Sequence, residues 1–431
     1  MTCPHSPKVT VAMLGARMHY AVPRLLHEAG LLEHFFTDSY IGNKPALQAV
    51  LRALPAQLAG AGVKRWLGRD EPRLPPQKVT SFETLGIRYA LERRHARNAA
   101  QMEAIFARTA ARFNTAILRR NKAPAGFVWG FNTAALELFE AARQNGARCI
   151  LEQTILPRRL EAELLTRQAQ QWEGWQPGFS ARPNGGLQAE REEREWALAE
   201  RIVAGSDFVR DGLLACGVPA DKISVIPYGV DVTRFSPAPP QERDPARPLR
   251  VLFVGEVGLR KGVPWLLEAL KTLGPERVEA RFAGRVVLDP GHLAGFSDVA
   301  HFAGPVPRLE MADLFRWADV FALPSIVEGS ATSSYEALLT GLPLIVTPNT
   351  GSIISGDDAG QIVPPGDSSA IAAALLRYHE NPELLAQHKE RALALRGKAA
   401  TERYGRELAA LVSAMAENPA QNHQNTVTFQ G

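Results

Sequence analysis

Apolar positions along the chain fall into two alternating rhythms. Mostly apolar runs, VTVAML (9–14), FVWGF (127–131), CILEQT (149–154), VLFVG (251–255), VEARFAG (278–284), VAHFAG (299–304), VFALPS (320–325) and PLIVTP (343–348), have the length and composition of buried strands. Segments with apolar residues three and four apart predict helices: VPRLLHEAG after the first run, then 47–68, 90–120, one ending at Gln144, 188–201, 262–272, 308–317, 332–340, 368–379 and 398–416. Strands alternating with helices of this length require right-handed crossovers and parallel sheets. The opening strand, the turn at Gly15 and the following helix read as the first unit of a doubly wound sheet.

Two interruptions divide the pattern. GWQPGFSARPNGG (174–186) breaks the rhythm inside the first half, which KISVIPYGVDVTRF (222–235) closes. PAPPQERDPARP (237–248) has no hydrophobic period, as expected of a linker. The expected organisation is a Rossmann-like domain over 1–236, a linker over 237–249 and a second Rossmann-like domain over 250–396. A helix over 397–417 has the first domain as its candidate partner, and 418–431 forms a tail. A chain of 431 residues exceeds what one hydrophobic core usually spans, which also favours two domains. The fold class expected is α/β, with the two domains facing each other across a cleft at the carboxyl ends of their strands.

Composition changes this picture little. Apolar content of 45% and charged content of 22% are those of a globular enzyme. Cys3, Cys149 and Cys216 lie far apart and lack metal-ligand spacing, so buried spectator thiols in a reducing compartment are expected. The start of the chain does not read as a signal peptide and no window offers a membrane span, so a cytoplasmic protein is expected, at most peripheral on the inner face of the cell membrane. Charge adds more. Residues 1–122 carry 19 Lys+Arg against 8 Asp+Glu, a net +11, whereas the remainder is −7. A basic first domain points toward an anionic partner: a membrane surface, a phosphorylated substrate or nucleic acid. Helix 47–68, with Trp66 flanked by Lys64 and Arg65, is the candidate membrane face; the alternative is that Trp66 packs inside the domain.

The candidate chemistry lies in SIVEGSATSSYEALLTGLPLIVTP (325–348). Neither GARMHY nor GEVGLRKG matches the G-x-G-x-x-G fingerprint, which makes a nicotinamide dehydrogenase a weak reading. Between strand 320–325 and helix 332–340, small residues let a ligand approach the backbone, and free amides at the helix start favour a diphosphate. Ser333-x-x-Glu336 also fits a capping box, which accounts for Glu336 but not for Glu328.

EGSATSSYEALLTGLPLIVTP resembles the E-x7-E signature of the retaining family-4 glycosyltransferases, two-domain enzymes of the GT-B fold. IVAGSDFVRDGLLACGVPADKISVIPYGVDVTRF, FVGEVGLRKGVPWLLEAL and AGPVPRLEMADLFRWADVFALPS agree with it in order and spacing, covering about 200–380. The resemblance implies a retaining, metal-independent hexosyltransferase without a cofactor. It would move a sugar from a UDP- or GDP-sugar to a glycan or lipid-linked acceptor in polysaccharide or glycolipid assembly, with no nucleic acid partner. By that resemblance Glu328 and Lys261 are catalytic, Glu328 holding hydroxyls of the donor sugar and Lys261 the diphosphate. Glu336 takes the ribose diol, and Arg260, Gly255, Gly329, Ser330, Ala331, Thr332 and Ser333 complete the donor site. Gly15 and His19 belong to the acceptor and phosphate loop. Glu256 stands where many members have an arginine, and Glu152 or Gln153 occupies the region where a histidine is common. Alternatives are a nucleotide-sugar hydrolase or epimerase of the same fold, or a non-catalytic nucleotide-sugar-binding protein.

Overall fold

The computed structural model describes residues 7–53, 60–120, 126–179, 185–235, 237, 244, 246–307 and 310–418. Seven strands build the first sheet: β1 Val9–Met13, β2 Leu32–Thr37, β3 Val79–Ser81, β4 Phe127–Phe131, β5 Arg148–Gln153, β6 Arg201–Ala204 and β7 Ile223–Val225. Six build the second: β8 Leu249–Val254, β9 Val278–Ala283, β10 Ala300–Gly304, β11 Val320–Leu323, β12 Leu344–Val346 and β13 Gly360–Ile362. All pairings between these strands are parallel. Their orders are β3-β2-β1-β4-β5-β6-β7 and β10-β9-β8-β11-β12-β13, so each sheet reverses direction beside its first strand, where α/β sheets place ligands.

Buried apolar runs became strands because helices cover both faces of a parallel sheet. Every residue of β1 and β4 is buried. The short or mixed strands β2, β3 and β13 are not evident in the apolar rhythm; LEHFFT carries an exposed Glu33 within it. The span 90–120 is a correction: it forms two helices, Glu83–Arg94 and Ala99–Arg120, because Asn98 Oδ1 accepts from the Gln101 amide at 2.9 Å and starts a second helix there. The span 47–68 likewise holds two helices, Pro45–Arg52 and Ala61–Leu67, and residues 54–59 between them lie outside the described ones. Trp66 is partly buried, its indole nitrogen enclosed without an acceptor, so this side chain is turned into the protein rather than laid out on its surface. The side chains of Lys64 and Arg65, most of the linker (238–243 and 245), Cys3 and the tail from 419 onward lie outside the described residues.

The helix Thr401–Glu417 leaves the second sheet and crosses to the first domain. Tyr404 Oη donates to Glu152 Oε1 at 3.0 Å, and Arg403 donates to the Tyr228 carbonyl at 2.8 Å. No described helix is long and apolar enough to cross a membrane. Cys149 is buried, which pushes its thiol up to about 12, and neither it nor Cys216 is in a disulfide.

Candidate functional site

The centre of the second domain's rim is the loop that leaves β11. Its Ile326 and Val327 amides both donate to the Arg260 carbonyl, at 2.9 and 3.1 Å, and the Arg260 side chain returns a bond to the Val327 carbonyl at 3.0 Å. This reciprocal stitching holds the segment Leu259–Lys261 against the loop. Two cations then converge on one carboxylate: Glu328 Oε1 takes Lys261 Nζ at 2.5 Å and Arg260 Nη1 at 2.9 Å. Burial would raise the Glu328 carboxyl, but Lys261 and then Arg260 outweigh it and hold it below the ordinary carboxylate range. Lys261 sits below its usual value, chiefly through burial, which prevails over the pull of Glu328. Gly255 is required here: a Cβ on it would lie 2.6 Å from Lys261 Cε, so only glycine lets the lysine stem pass across. Glu256, in the position where the resemblance expects an arginine, pairs with Arg285 instead.

The next residues are wedged between the domains. Ser206 Oγ donates to the Gly329 carbonyl at 2.5 Å, and the Ser330 hydroxyl is shared between the Tyr228 amide at 3.3 Å and Tyr335 Oη at 2.6 Å. The Ala331 amide is spent on the Thr350 carbonyl at 3.2 Å. Of the predicted small-residue cradle, the Ser330 side chain and the Ala331 amide are therefore committed to internal bonds. The amides of Thr332 and Ser333 open the helix Thr332–Thr340, whose N-cap is Ala331 with no side-chain cap bond. That overturns the capping-box reading: the helix begins one residue before Ser333, which places Glu336 in the second turn, beyond reach of the cap.

Glu336 faces a different space. With His19, Arg234, Asp231 and Thr332 it lines a cavity of about 240 Å³ between the domains. Among the described residues no donor bonds its carboxylate, and burial pushes it up to about 7, against the weaker pull of Arg234. His19 lies in a turn where Met18, His19 and Tyr20 all take left-handed backbone (φ 47°, 50° and 62°), a conformation costly for each side-chain-bearing residue. Gly15 opens that turn, but its amide is taken by Asp38 Oδ1 at 2.8 Å, so the loop's first donor points into the domain.

Glu152 and Gln153 do not reach the cleft. Glu152 is enclosed by Trp129 at 3.2 Å and Tyr404 at 3.0 Å, and Gln153 by Ile155, Glu192 and Trp196. Asp357 pairs with Arg377 at 3.0 Å and Asp358 accepts from the Ala359 amide at 2.6 Å, the arrangement of a solvated turn away from the cleft. Sequence reasoning missed two features. Arg17 reaches over the carboxyl ends of β4 and β5, its Nη1 on Thr154 Oγ1 at 2.7 Å. The segment 168–176 straps the domains together: Trp265 Nε1 donates to Gln168 at 2.7 Å, the Leu259 amide to Gln176 at 3.0 Å, and Trp172 meets Trp265 edge-on at 5.0 Å. Trp175 and Phe179 in the broken stretch GWQPGF, with Trp172 just before it, were the available signal, since aromatic residues in an aperiodic segment need something to pack on.

Residues 248–381 match the family described as glycosyl transferases group 1. The chain is 31% identical over 253 residues to a D-inositol 3-phosphate glycosyltransferase of Xylanimonas cellulosilytica, covering 53% of this chain and 58% of that protein. It is 29% identical over 208 residues to the amylovoran biosynthesis glycosyltransferase AmsK of Erwinia amylovora, covering 43% and 49%. The chain thus spans about half the length of the curated relatives it matches. Among solved structures, Anabaena HepE in complex with UDP and glucose aligns with TM-score 0.57 at 15% identity, over 95% of this chain and 100% of that one. Sucrose-phosphate synthase from Thermosynechococcus elongatus aligns with TM-score 0.60 at 17% identity, over 95% and 99%. The fold is GT-B: two parallel-sheet α/β domains.

Proposed function

We propose that this protein is a retaining, metal-independent glycosyltransferase that moves a hexose from a UDP- or GDP-sugar to a glycan or lipid-linked acceptor in polysaccharide or glycolipid assembly. The observation that carries the reading is the convergence of Lys261 and Arg260 on Glu328 beside the uncapped start of helix Thr332–Thr340. Two cations and free helix amides form a diphosphate site, and the carboxylate between them is placed for neutral hydroxyls.

When a nucleotide sugar enters, its diphosphate competes for the charges that Glu328 holds in the ligand-free protein. Lys261 and Arg260 shift toward the phosphates and stabilise the negative charge that builds on the leaving group. Glu328, released from part of that pairing, accepts hydroxyls of the sugar and fixes the anomeric carbon toward the first domain. Glu336, in its own cavity, accepts the two ribose hydroxyls. The strap at Trp172 and Trp265 and the buried 329–331 segment keep water from the activated sugar. The reading is supported further by the group 1 match over the second domain and by the glycosyltransferase relatives.

The test is a thermal-shift panel of UDP-, GDP- and ADP-sugars, followed by turnover with the stabilising donor. One nucleotide is expected to raise the Tm, and product release is expected to require an added acceptor. Release at the same rate without acceptor would establish a hydrolase, and binding without turnover on any acceptor a sensor.

A further inference from the structure

The turn that carries Lys261 takes its place from what surrounds it. Leu259–Lys261 is closed by the Gly262 amide on the Leu259 carbonyl at 3.0 Å, and Gly262 leaves it with left-handed backbone (φ 67°). A single turn of this kind has little rigidity of its own, so its external partners decide where it stands. Its middle is held by the second domain, through the Ile326 and Val327 amides on the Arg260 carbonyl. Its start is held by the first domain. The Leu259 amide, left without a partner inside the turn, donates to Gln176 Oε1 at 3.0 Å. Gly258 makes room for that side chain, since a Cβ there would stand 3.0 Å from Gln176 Oε1 and 2.8 Å from Val287 Cγ2.

Gln176 is anchored on both sides. The Trp175 carbonyl accepts from the Asp289 amide at 2.7 Å, and the Trp175 ring lies 5.0 Å from His292 and 6.0 Å from Phe296, all in the second domain. Earlier in the strap, Trp172 and Gln168 hold Trp265, which stands in the helix Val263–Leu273 directly after the Lys261 turn. The first domain therefore grips the chain just before and just after Lys261. The lysine itself has little freedom to compensate: its stem passes so close to Gly255 that a Cβ there would lie 2.6 Å from Cε, and its ammonium meets Glu328 at 2.5 Å. Where the turn goes, the ammonium follows.

We infer that Gln176 is a positioning residue for the diphosphate site: by accepting from the Leu259 amide, the first domain sets where the second domain's lysine stands. Gln176 acts through Leu259 and Lys261 rather than on the nucleotide. The inference rests on the nucleotide-sugar reading of the second domain and adds to it a residue through which both domains shape one phosphate contact.

The experiment is titration calorimetry of UDP and GDP, with uridine and guanosine as phosphate-free controls, into the full chain as wild type, Gln176→Met, Lys261→Ala and the double variant. Methionine keeps the length of the side chain and removes the acceptor. For the diphosphate that the wild type binds, Gln176→Met is expected to lower affinity about fivefold, within what one hydrogen bond supplies, and to leave the nucleoside unaffected. In the Lys261→Ala background the same substitution is expected to change nothing further, because the group through which it acts is gone. Gln176 is partly exposed, so an unchanged Tm is expected; Gly258→Ala, which crowds the same acceptor, is a second variant expected to show the same dependence on Lys261. Undiminished diphosphate affinity in Gln176→Met overturns the inference alone, and so does an equal loss with and without Lys261, which would make the strap a structural prop. A wild type that binds neither UDP nor GDP overturns the donor reading itself, and this inference with it.

Discussion

Thr154 of the first domain and Gly329 of the second meet backbone to backbone: a Cβ on Gly329 would stand 1.9 Å from the Thr154 carbonyl oxygen. No side chain fits there while the domains hold this arrangement. Gly329→Ala is expected to push the domains apart rather than unfold either one. Small-angle scattering should report a larger radius of gyration, with kcat/KM down by on the order of a hundredfold and the Tm little changed, since a slight misplacement of reacting groups is costly. Unaltered scattering with full activity would contradict this tight contact.

Glu328 and Glu336 should separate in function. Glu328→Gln frees Lys261 and Arg260 from their shared carboxylate, so bare UDP or GDP should bind as tightly as before or more so, while turnover falls on the order of a hundredfold or more. Lys261→Ala should weaken the diphosphate nucleotide and spare the nucleoside. Titration calorimetry beside initial rates distinguishes the two; equal loss of nucleotide affinity in both variants would remove Glu328 from the sugar side.

Glu336 makes a pH prediction. Burial places it at about 7, above its ordinary 4.5, so folding favours the protonated acid. Its contribution is therefore greatest at low pH and is withdrawn as pH rises from the unfolded value through about 7. Glu336→Gln should raise the Tm by roughly 3 °C at pH 8 and leave it near wild type at pH 5. Nucleotide affinity should behave oppositely, since the carboxylate accepts a diol better than the acid: in the wild type it should strengthen as pH rises through about 7, and in the variant it should be weak and flat. A Tm difference that is the same at both pH values would refute the buried-acid account.

The strap can be tested through Trp265→Ala. The loss of its edge contact with Trp172 and of its bond to Gln168 should cost about 2 kcal/mol, less than a fully buried tryptophan would. The donor KM should rise several-fold more than kcat falls. Kinetics indistinguishable from wild type would show that the strap is only cover.

For a membrane face, the structure redirects attention from Trp66 to two neighbouring helices. Val50 (62% exposed) lies on Pro45–Arg52, and Ile87 (60%) and Leu91 (50%) lie on Glu83–Arg94; the Lys44–Glu83 pair joins the helix starts. Exposed arginines at 93, 94 and 97 follow. Flotation with phosphatidylglycerol vesicles is expected to capture the protein at low salt and release it at high salt, and Ile87→Asp should abolish capture. Protein left at the bottom of the gradient at low salt would rule the proposal out.

Much of this architecture is legible in the chain. The long buried strands and their alternation with helices identify two parallel sheets, because a strand covered on both faces must be apolar throughout. The spacing of Glu328 and Glu336 marks the rim loop, since glycine and hydroxyl residues between a strand and a helix have few other uses. Short strands such as Gly360–Ile362 escape because three residues carry no period, and neighbouring strands rather than their own composition recruit them.

What the tertiary structure alone decided is which groups remain available. Gly15, Ser330 and Ala331 look like open donors along the chain, but their polar groups are taken by Asp38, Tyr228 with Tyr335, and Thr350. Arg17 looks like one basic residue among many and proves to lack an ion-pair partner among the described residues. Local sequence determines propensity and burial pattern; hydrogen-bond satisfaction and charge pairing depend on partners on other elements, for Ser330 as far off as Tyr228, and only the folded chain brings those together.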